Sequence, residues 1–296
     1  MKSDIRILLR DIQAAARIGH TESLWAALDL LQDLPQVAGN HPMSESFINQ
    51  VVLPVGEAVG AAQMNQSALR PLANHSLAVY RAAAGIALLR QYLDGRNGTT
   101  LQSVNALAQD PRQDVREAIR LAALHANQAD PQKLEELYQA WQSSGAPRLQ
   151  ALAYQLLPNL PGEIVLQKLE TLEAEALASQ PEVRKTLAST LSTLAANGHA
   201  EEVLAILARW ASRPEPDHRI ITRCLTNSWA ARHPAESLQI LTTLASRTGP
   251  KKRIRRALES LYRHGAGSEV LAALEDWRSA DNANLRAAGL DVNLTL

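Results

Sequence analysis

Apolar residues recur at helical spacing along most of this chain. Near its start, Ile5, Leu8, Leu9 and Ile12 occupy the i, i+3, i+4 positions that place them on one face of a helix. From residue 71 onward, Leu- and Ala-rich segments of about three turns are separated by turns that contain Pro or Gly. No segment alternates apolar and polar residues with the period of a strand. The pattern predicts an all-α protein.

A column of arginines divides the chain into units of near-constant length. An apolar or small residue followed by Arg precedes each Ala- and Leu-rich helix, and one position of the column holds Thr instead. The column consists of Arg81, Arg116, Arg148, Arg184, Thr222, Arg255 and Arg286. Successive members are 35, 32, 36, 38, 33 and 31 residues apart, which is the length of two helices and two turns. We therefore predict antiparallel helical hairpins, with the column near the start of each second helix.

The column arginines are expected to have a structural role. In stacked hairpins, an Arg near the start of a second helix can pair with an Asp or with the carbonyl groups of the preceding turn. We expect this role for Arg81, Arg116 and Arg184.

The N-terminal part of the chain follows the repeat poorly. Residues 36–42 contain Gly, Asn and Pro and predict a loop. Pro54 interrupts the apolar helix that follows and should kink it. We expect residues 1–66 to form an irregular helical cap. Residues 67–296 are expected to form a repeat array that continues the cap in one solenoid.

One repeat resembles a known family. The pattern Asp110-Pro111-x-x-x-Val115-Arg116-x-Ala118 resembles the HEAT repeat, and degenerate copies run over roughly residues 71–290. The resemblance implies an α-solenoid of stacked hairpins that curves into a superhelix. Its second helices would line a concave surface.

A second resemblance covers about 50 residues of the C-terminal half. Residues 221–229 (ITRCLTNSW), residues 232–234 (RHP) and residues 253–265 resemble the DNA alkylation repeat family, whose proteins are HEAT-like. The resemblance implies a basic concave groove that holds DNA. Some members excise alkylated bases with an aspartate and aromatic residues. Asp217 is the nearest aspartate here, but its surroundings do not match that site.

Charge is distributed unevenly, although the chain has no net charge. Residues 205–264 contain 12 Lys or Arg against 4 Asp or Glu, a net charge of +8, and the rest of the chain carries −8. Such a basic stretch can steer a polyanion, and its cations can contact phosphates. Alternatively, the cluster at residues 251–253 is a solvated turn. The candidate binding residues are Arg219, Arg223, Trp229, Arg232, Lys251, Lys252, Arg253 and Arg256.

The tryptophans divide into two groups by position. Trp141, Trp210 and Trp277 fall near the ends of first helices, which predicts that they pack in the core. Trp229 breaks this regularity and lies in the basic stretch, so it is the aromatic residue expected to stack on a base.

Several classes of site have no counterpart in the sequence. The chain lacks the glycine-rich loops that bind nucleotide phosphates, the serine-hydrolase elbow and the Cys/His spacing of metal sites, so no cofactor or metal is expected. Cys224 is the only cysteine, which indicates a reducing, cytoplasmic compartment, and it lies on an apolar helix face. No run of about 18 apolar residues predicts a membrane span.

Two function hypotheses follow. The first is a non-enzymatic scaffold that binds a protein partner on the concave face of a HEAT-like solenoid. The alternative is a DNA-binding protein of the DNA alkylation repeat type, including an alkylated-base glycosylase, with residues 205–264 contacting nucleic acid. We expect binding rather than catalysis. A lyase or chaperone for a chromophore-bearing protein shares the Asp-Pro and Val-Arg pattern, and no residue here supports a chromophore.

Overall fold

The computed structural model describes residues 2–19, 21–62, 64, 66–95, 98–127, 131–172, 180–215 and 217–292. These residues form helices and the turns between them, with no strand, which confirms the all-α prediction. No helix in the described part of the chain is both long and apolar enough to cross a membrane. The chain divides into two compact units, Met1–Asn159 and Leu160–Leu296. The boundary expected at residue 66 marks where the sequence repeat becomes regular, whereas the division into units reflects which residues pack together.

Unit 1 (Met1–Asn159) is built around one long helix. Its helices are α1 Lys2–Ile18, α2 Thr21–Asp29, α3 Pro35–Ala38, α4 Glu45–Phe47, α5 Leu53–Ala61, α6 Gln66–Ala73, α7 Ala78–Gly95, α8 Gly98–Leu107, α9 Gln113–Asn127, α10 Pro131–Gln142 and α11 Pro147–Leu156. Helix α7 packs on α5, α6, α8 and α9, and most of its residues are buried. Its AAAGIALL segment has small side chains that let these neighbours approach closely.

Two local predictions for the N-terminal part have different outcomes. The loop expected over residues 36–42 is confirmed for residues 39–42 and corrected for residues 36–38, because Pro35–Ala38 forms a short helix with Pro at its first position. Pro54 does interrupt the helical hydrogen bonding. A π-helical turn over Ile48–Val52 precedes it, in which the Leu53 amide donates to the Ile48 carbonyl, five residues back. Proline has no amide hydrogen to continue the α-helical pattern.

Unit 2 (Leu160–Leu296) consists of helices that pack on their next-but-one neighbours. They are α12 Gly162–Thr171, α13 Pro181–Leu194, α14 Ala200–Ala211, α15 His218–Leu225, α16 Pro234–Thr248, α17 Lys252–Arg263, α18 Gly267–Ser279 and α19 Ala283–Asp291. Helix α15 packs between α13 and α17, and these three helices contain members of the column. Helices α14, α16 and α18 pack on one another in the same way as a second row.

Column arginines hold the turns that precede their helices. Arg81 donates to the carbonyls of His75 and Ser76, and Arg116 to those of Asp110 and Pro111. The contacts lie five and six residues upstream in both repeats. Arg81 also bonds to Asp110 in the turn of the next hairpin. Arg184 approaches Asp217 in the same way, at 3.8 Å. The structural role expected for Arg81 and Arg116 is therefore confirmed, whereas Arg184 pairs with an aspartate of the following turn and not of the preceding one.

The three regularly placed tryptophans lie in the core, as expected. Trp141, Trp210 and Trp277 are each at most 2% exposed. Trp141 Nε1 donates to Asn105 Oδ1, and Trp277 Nε1 donates to Thr242 Oγ1, both at 2.9 Å. These bonds span 36 and 35 residues and join α10 to α8 and α18 to α16.

Candidate polyanion-binding cleft

Helices α13, α15 and α17 of unit 2 together line a cleft of about 580 Å³. Six of its eleven lining residues are basic, and none is acidic. The basic residues are Arg184, Lys185, Arg219, Arg223, Arg253 and Arg256. The remaining lining residues are Pro181, Ile220, Thr222, Thr226 and Asn227. We call this surface the basic cleft.

Helical spacing explains why these cations converge. Arg219 and Arg223 are four residues apart on α15, and Arg253 and Arg256 are three apart on α17. Such pairs lie on one face of a helix. The opposite faces carry apolar residues that are buried in unit 2: Ile221, Cys224 and Leu225 on α15, and Ile254, Leu258 and Leu261 on α17. Burial of the apolar faces leaves the arginines exposed at the surface.

Most of these charges are uncompensated. Within the described residues, no carboxylate lies within ion-pair distance of Lys185, Arg219, Arg223, Arg253 or Arg256, although ion pairs form elsewhere in unit 2. Arg184 is the exception, through Asp217. Like charges placed together repel one another, so an anion bound among them would relieve this repulsion.

His218 lies beside the cleft at the start of α15 and responds to its charge. Burial lowers the pKa of His218, and the positive charges of Arg253, Lys251 and Arg219 lower it further, while Asp217 opposes them. Both effects disfavour the protonated ring, the first because it removes water and the second by repulsion. These three positive charges therefore act on His218, which does not itself line the cleft.

Asn227 has a fixed orientation at the end of α15. Its Nδ2 donates to Ser192 Oγ at 3.0 Å, to the Arg223 carbonyl at 3.0 Å and to the Cys224 carbonyl at 3.2 Å. Ser192 Oγ donates its own hydrogen to the Ala188 carbonyl, so it can only accept from Asn227. The three acceptors determine which side-chain atom is the nitrogen and leave Oδ1 directed away from them.

Four of the eight candidate residues lie together in the basic cleft: Arg219, Arg223, Arg253 and Arg256. Arg232, Lys251 and Lys252 are exposed but do not line it. Arg184 and Lys185 line it but were missed, because they precede the basic stretch by 20 residues or more. The sequence signal for Arg184 was the column, in which Arg184 and Thr222 are successive members.

The expectation for Trp229 is corrected. Trp229 lies in the 3-10 turn Ser228–Arg232, is 2% exposed and does not line the cleft. An indole can stack on a base only where one face of its ring is open. Trp229 is therefore a core residue.

Other groups of catalytic chemistry near the cleft are occupied or shielded. Asp217 accepts hydrogen bonds from the amides of Arg219 and Ile220 and so caps α15. Burial raises the pKa of the Cys224 thiol to about 12, and its Sγ donates to the Ala188 carbonyl. In the described residues, no group of three His, Cys, Asp or Glu side chains could hold a metal ion.

Comparisons of the chain with protein-family models, with curated proteins and with solved structures find no match. The resemblances to HEAT repeats and to the DNA alkylation repeat family therefore rest on the residues quoted for them.

Proposed function

We propose that this protein is a non-enzymatic nucleic-acid-binding protein that holds a phosphate backbone in its basic cleft. The observation that carries the proposal is the convergence of six basic side chains, from three helices, on a cleft with no acidic lining residue. Arg offers paired donors that match phosphate oxygens, and each phosphate contact releases a counterion. Both effects favour a ligand with regularly spaced phosphates.

The architecture suited to this role is a HEAT-like solenoid. The next-but-one packing of helices in unit 2 supports that arrangement, as does the recurrence of the arginine turn contacts at Arg81 and Arg116. The basic cleft lies on the row that carries the column, which is the row expected to line the concave surface.

A nucleic acid fits the cleft better than the protein partner of the first hypothesis. Protein interfaces usually depend on apolar or aromatic anchors near their centre. The one large apolar lining residue, Ile220, is 1% exposed, and Trp229 is buried. The charged side chains of the cleft offer a ligand positive charge and hydrogen-bond donors.

The proposal covers binding and does not extend to base excision. Excision would require a carboxylate and open aromatic faces next to the bound strand. The aspartate nearest the cleft, Asp217, caps a helix and lies 3.8 Å from Arg184. The aromatic residue expected to stack, Trp229, is in the core.

Fluorescence anisotropy with a labelled DNA duplex, measured at low and at physiological salt, tests the proposal. The double variant R223A/R256A removes two cleft cations, and R232A/K252A removes two exposed cations outside it. Since a hydrogen bond to a charged group contributes about 1.5–3 kcal/mol, the cleft variant should lose at least about tenfold in affinity. The control should lose less than about threefold.

Three outcomes would contradict the proposal. The first is no binding at low salt. The second is an equal loss in both double variants. The third is that a polyglutamate peptide displaces the labelled duplex at a much lower concentration than unlabelled duplex does. That result would favour an acidic protein partner. Circular dichroism and thermal melting establish that each variant is folded.

A further inference from the structure

The end of α15 brings hydrogen-bond acceptors into a cleft whose charged side chains are all donors. Guanidinium and ammonium groups only donate hydrogen bonds. Asn227 Oδ1, by contrast, is an acceptor, and no donor reaches it within the described residues. Asn227 is exposed and lines the cleft. A ligand that satisfies the whole lining must therefore carry a hydrogen-bond donor close to its anionic groups.

Thr226 supplies a second acceptor next to Asn227. Its Oγ1 donates to the Arg223 carbonyl at 2.8 Å, so the single hydroxyl hydrogen is occupied and the oxygen can only accept from a ligand. Thr226 also lines the cleft. The two acceptors are three and four residues beyond Arg223, which places them about one helical turn from a cation of the cleft.

The Asn227 acceptor cannot be redirected easily toward the helix. Rotation of the Asn227 amide would point Oδ1 at the Arg223 and Cys224 carbonyls and would lose three hydrogen bonds. Two carbonyl-type oxygens that face each other repel, and the peptide acceptors would lose their donor. The acceptor is thus held in place before any ligand arrives.

A phosphate oxygen cannot satisfy these atoms, because it is itself an acceptor. In a nucleic-acid backbone the group beside each phosphate is the sugar, and only ribose has a hydroxyl there that can donate. We propose that the ligand of the basic cleft is RNA, with the cleft cations on its phosphates and a ribose 2′-hydroxyl donating to Asn227 Oδ1. This inference rests on the proposed function, since it assigns the sugar of the backbone that the cleft would hold.

The test compares oligonucleotides that differ only at the 2′ position. Oligo-uridine, oligo-deoxyuridine and 2′-O-methyl oligo-uridine of equal length share a base with no exocyclic amine, so a difference between them comes from the sugar. The 2′-O-methyl group retains an oxygen but cannot donate. Because a net hydrogen bond contributes about 0.5–1.5 kcal/mol, the ribose oligomer should bind roughly three- to tenfold more tightly than the other two.

Asn227→Ala should remove most of this preference while leaving the salt dependence of binding unchanged. The wild-type comparison needs no substitution, so the inference stays testable if the variant does not fold. Equal, salt-sensitive binding of all three oligomers would overturn the RNA assignment and leave the proposed function intact. No binding of any oligomer or duplex at low salt would instead overturn the proposed function itself.

Discussion

Asp110 lies almost wholly inside unit 1, where its side chain is 6% exposed. Its Oδ2 accepts from Arg81 Nε at 2.7 Å, and its Oδ1 accepts from Arg81 at 3.2 Å and from the Arg112 amide at 2.9 Å. Removal of water from such a pair is costly, but the loss of one partner costs more, because the other charge is left buried and unpaired.

We expect Asp110→Ala to lower the free energy of unfolding by about 3–5 kcal/mol. Asp11→Ala is the matched control, because Asp11 pairs with Arg10 at the surface, with side chains 48% and 75% exposed. The control should change stability by at most about 0.5 kcal/mol. Urea denaturation followed by circular dichroism measures both, and equal effects would contradict a stabilising role for the buried pair.

Asp114 predicts how stability depends on acid. Burial alone would raise the pKa of Asp114, but hydrogen bonds from Arg112 and from the Met43 amide outweigh it and hold that pKa below its ordinary value. A carboxyl with a lowered folded pKa contributes stability above its unfolded pKa of about 3.9, and this contribution is lost as the pH falls through the folded value.

Asp114→Asn should therefore be less stable than the wild type near neutral pH. The difference should shrink as the pH falls below about 4, where the carboxyl gains its proton first in the unfolded chain and, at lower pH, in the folded protein. Urea midpoints measured across this range test the prediction. A difference that is constant with pH would mean that Asp114 acts through shape rather than charge.

The residue roles that could be predicted from sequence were those tied to the repeat. Arg81 and Arg116 hold equivalent positions, and the same argument applied to both, whereas Arg184 pairs with Asp217 of the following turn. Trp229 could not be placed in the same way. It lies in a 3-10 turn after α15, where the helical period no longer indicates which side chains face the core.

Among the elements, α7 lies close to α5 and α9. A Cβ built on Gly56 of α5 would lie 2.5 Å from Ile86 Cβ of α7, and one on Gly85 of α7 would lie 2.7 Å from Ile119 Cδ1 of α9. The glycines allow both helices to pack against α7 at this distance. Because Ile86 Cβ is attached directly to the backbone, α7 would have to move to accept a side chain at Gly56.

Gly56→Ala is expected to destabilise the protein by about 1–3 kcal/mol, although alanine favours helix by about 1 kcal/mol elsewhere. Gly162→Ala is the control, because a Cβ at the first position of α12 meets no atom within 4 Å. It should be neutral or slightly stabilising. Thermal melting compares the two, and a stabilised Gly56→Ala variant would show that α5 and α7 can separate without cost.

At the level of elements, the sequence predicted which segments are helical far better than the residues at which each helix begins and ends. Apolar periodicity extends over several turns, so it identifies a helix even when the predicted ends are wrong by a few residues. The short helix Pro35–Ala38 has only four residues, too few to show a period, and its Gly- and Asn-containing flank is typical of a loop. The grouping of the chain into two units was not predicted, because it depends on packing between helices distant in sequence.

For the whole molecule, a net charge of zero is compatible with a strong local positive potential at the basic cleft. The basic stretch pointed to unit 2, but only the fold could separate the cations of the cleft from those facing elsewhere. Arg232 and Arg223 are equally basic and nine residues apart, yet only Arg223 lines the cleft. Their separation in sequence does not show which of the two lines the cleft, because the chain changes direction in the 3-10 turn Ser228–Arg232.

The field predicts a steep dependence of binding on salt. For duplex DNA, the logarithm of the association constant falls by about 0.9 per tenfold rise in salt for each phosphate contacted. Five cleft cations have no carboxylate partner among the described residues, so we expect a slope of about −4 to −5. Arg256→Ala should reduce its magnitude by about 1. Anisotropy titrations at several salt concentrations give the slope, and a value near zero would contradict phosphate binding.

The reaction rate of the buried Cys224 thiol reports how often the helices beneath the cleft separate. The thiol belongs to α15, is fully buried and donates to the Ala188 carbonyl of α13, so a disulfide reagent can reach it only when these two helices part. As the chain has no other cysteine, the rate of colour release from such a reagent counts those openings directly. A nucleic acid bound across both helices would slow modification of the thiol without contacting the sulfur.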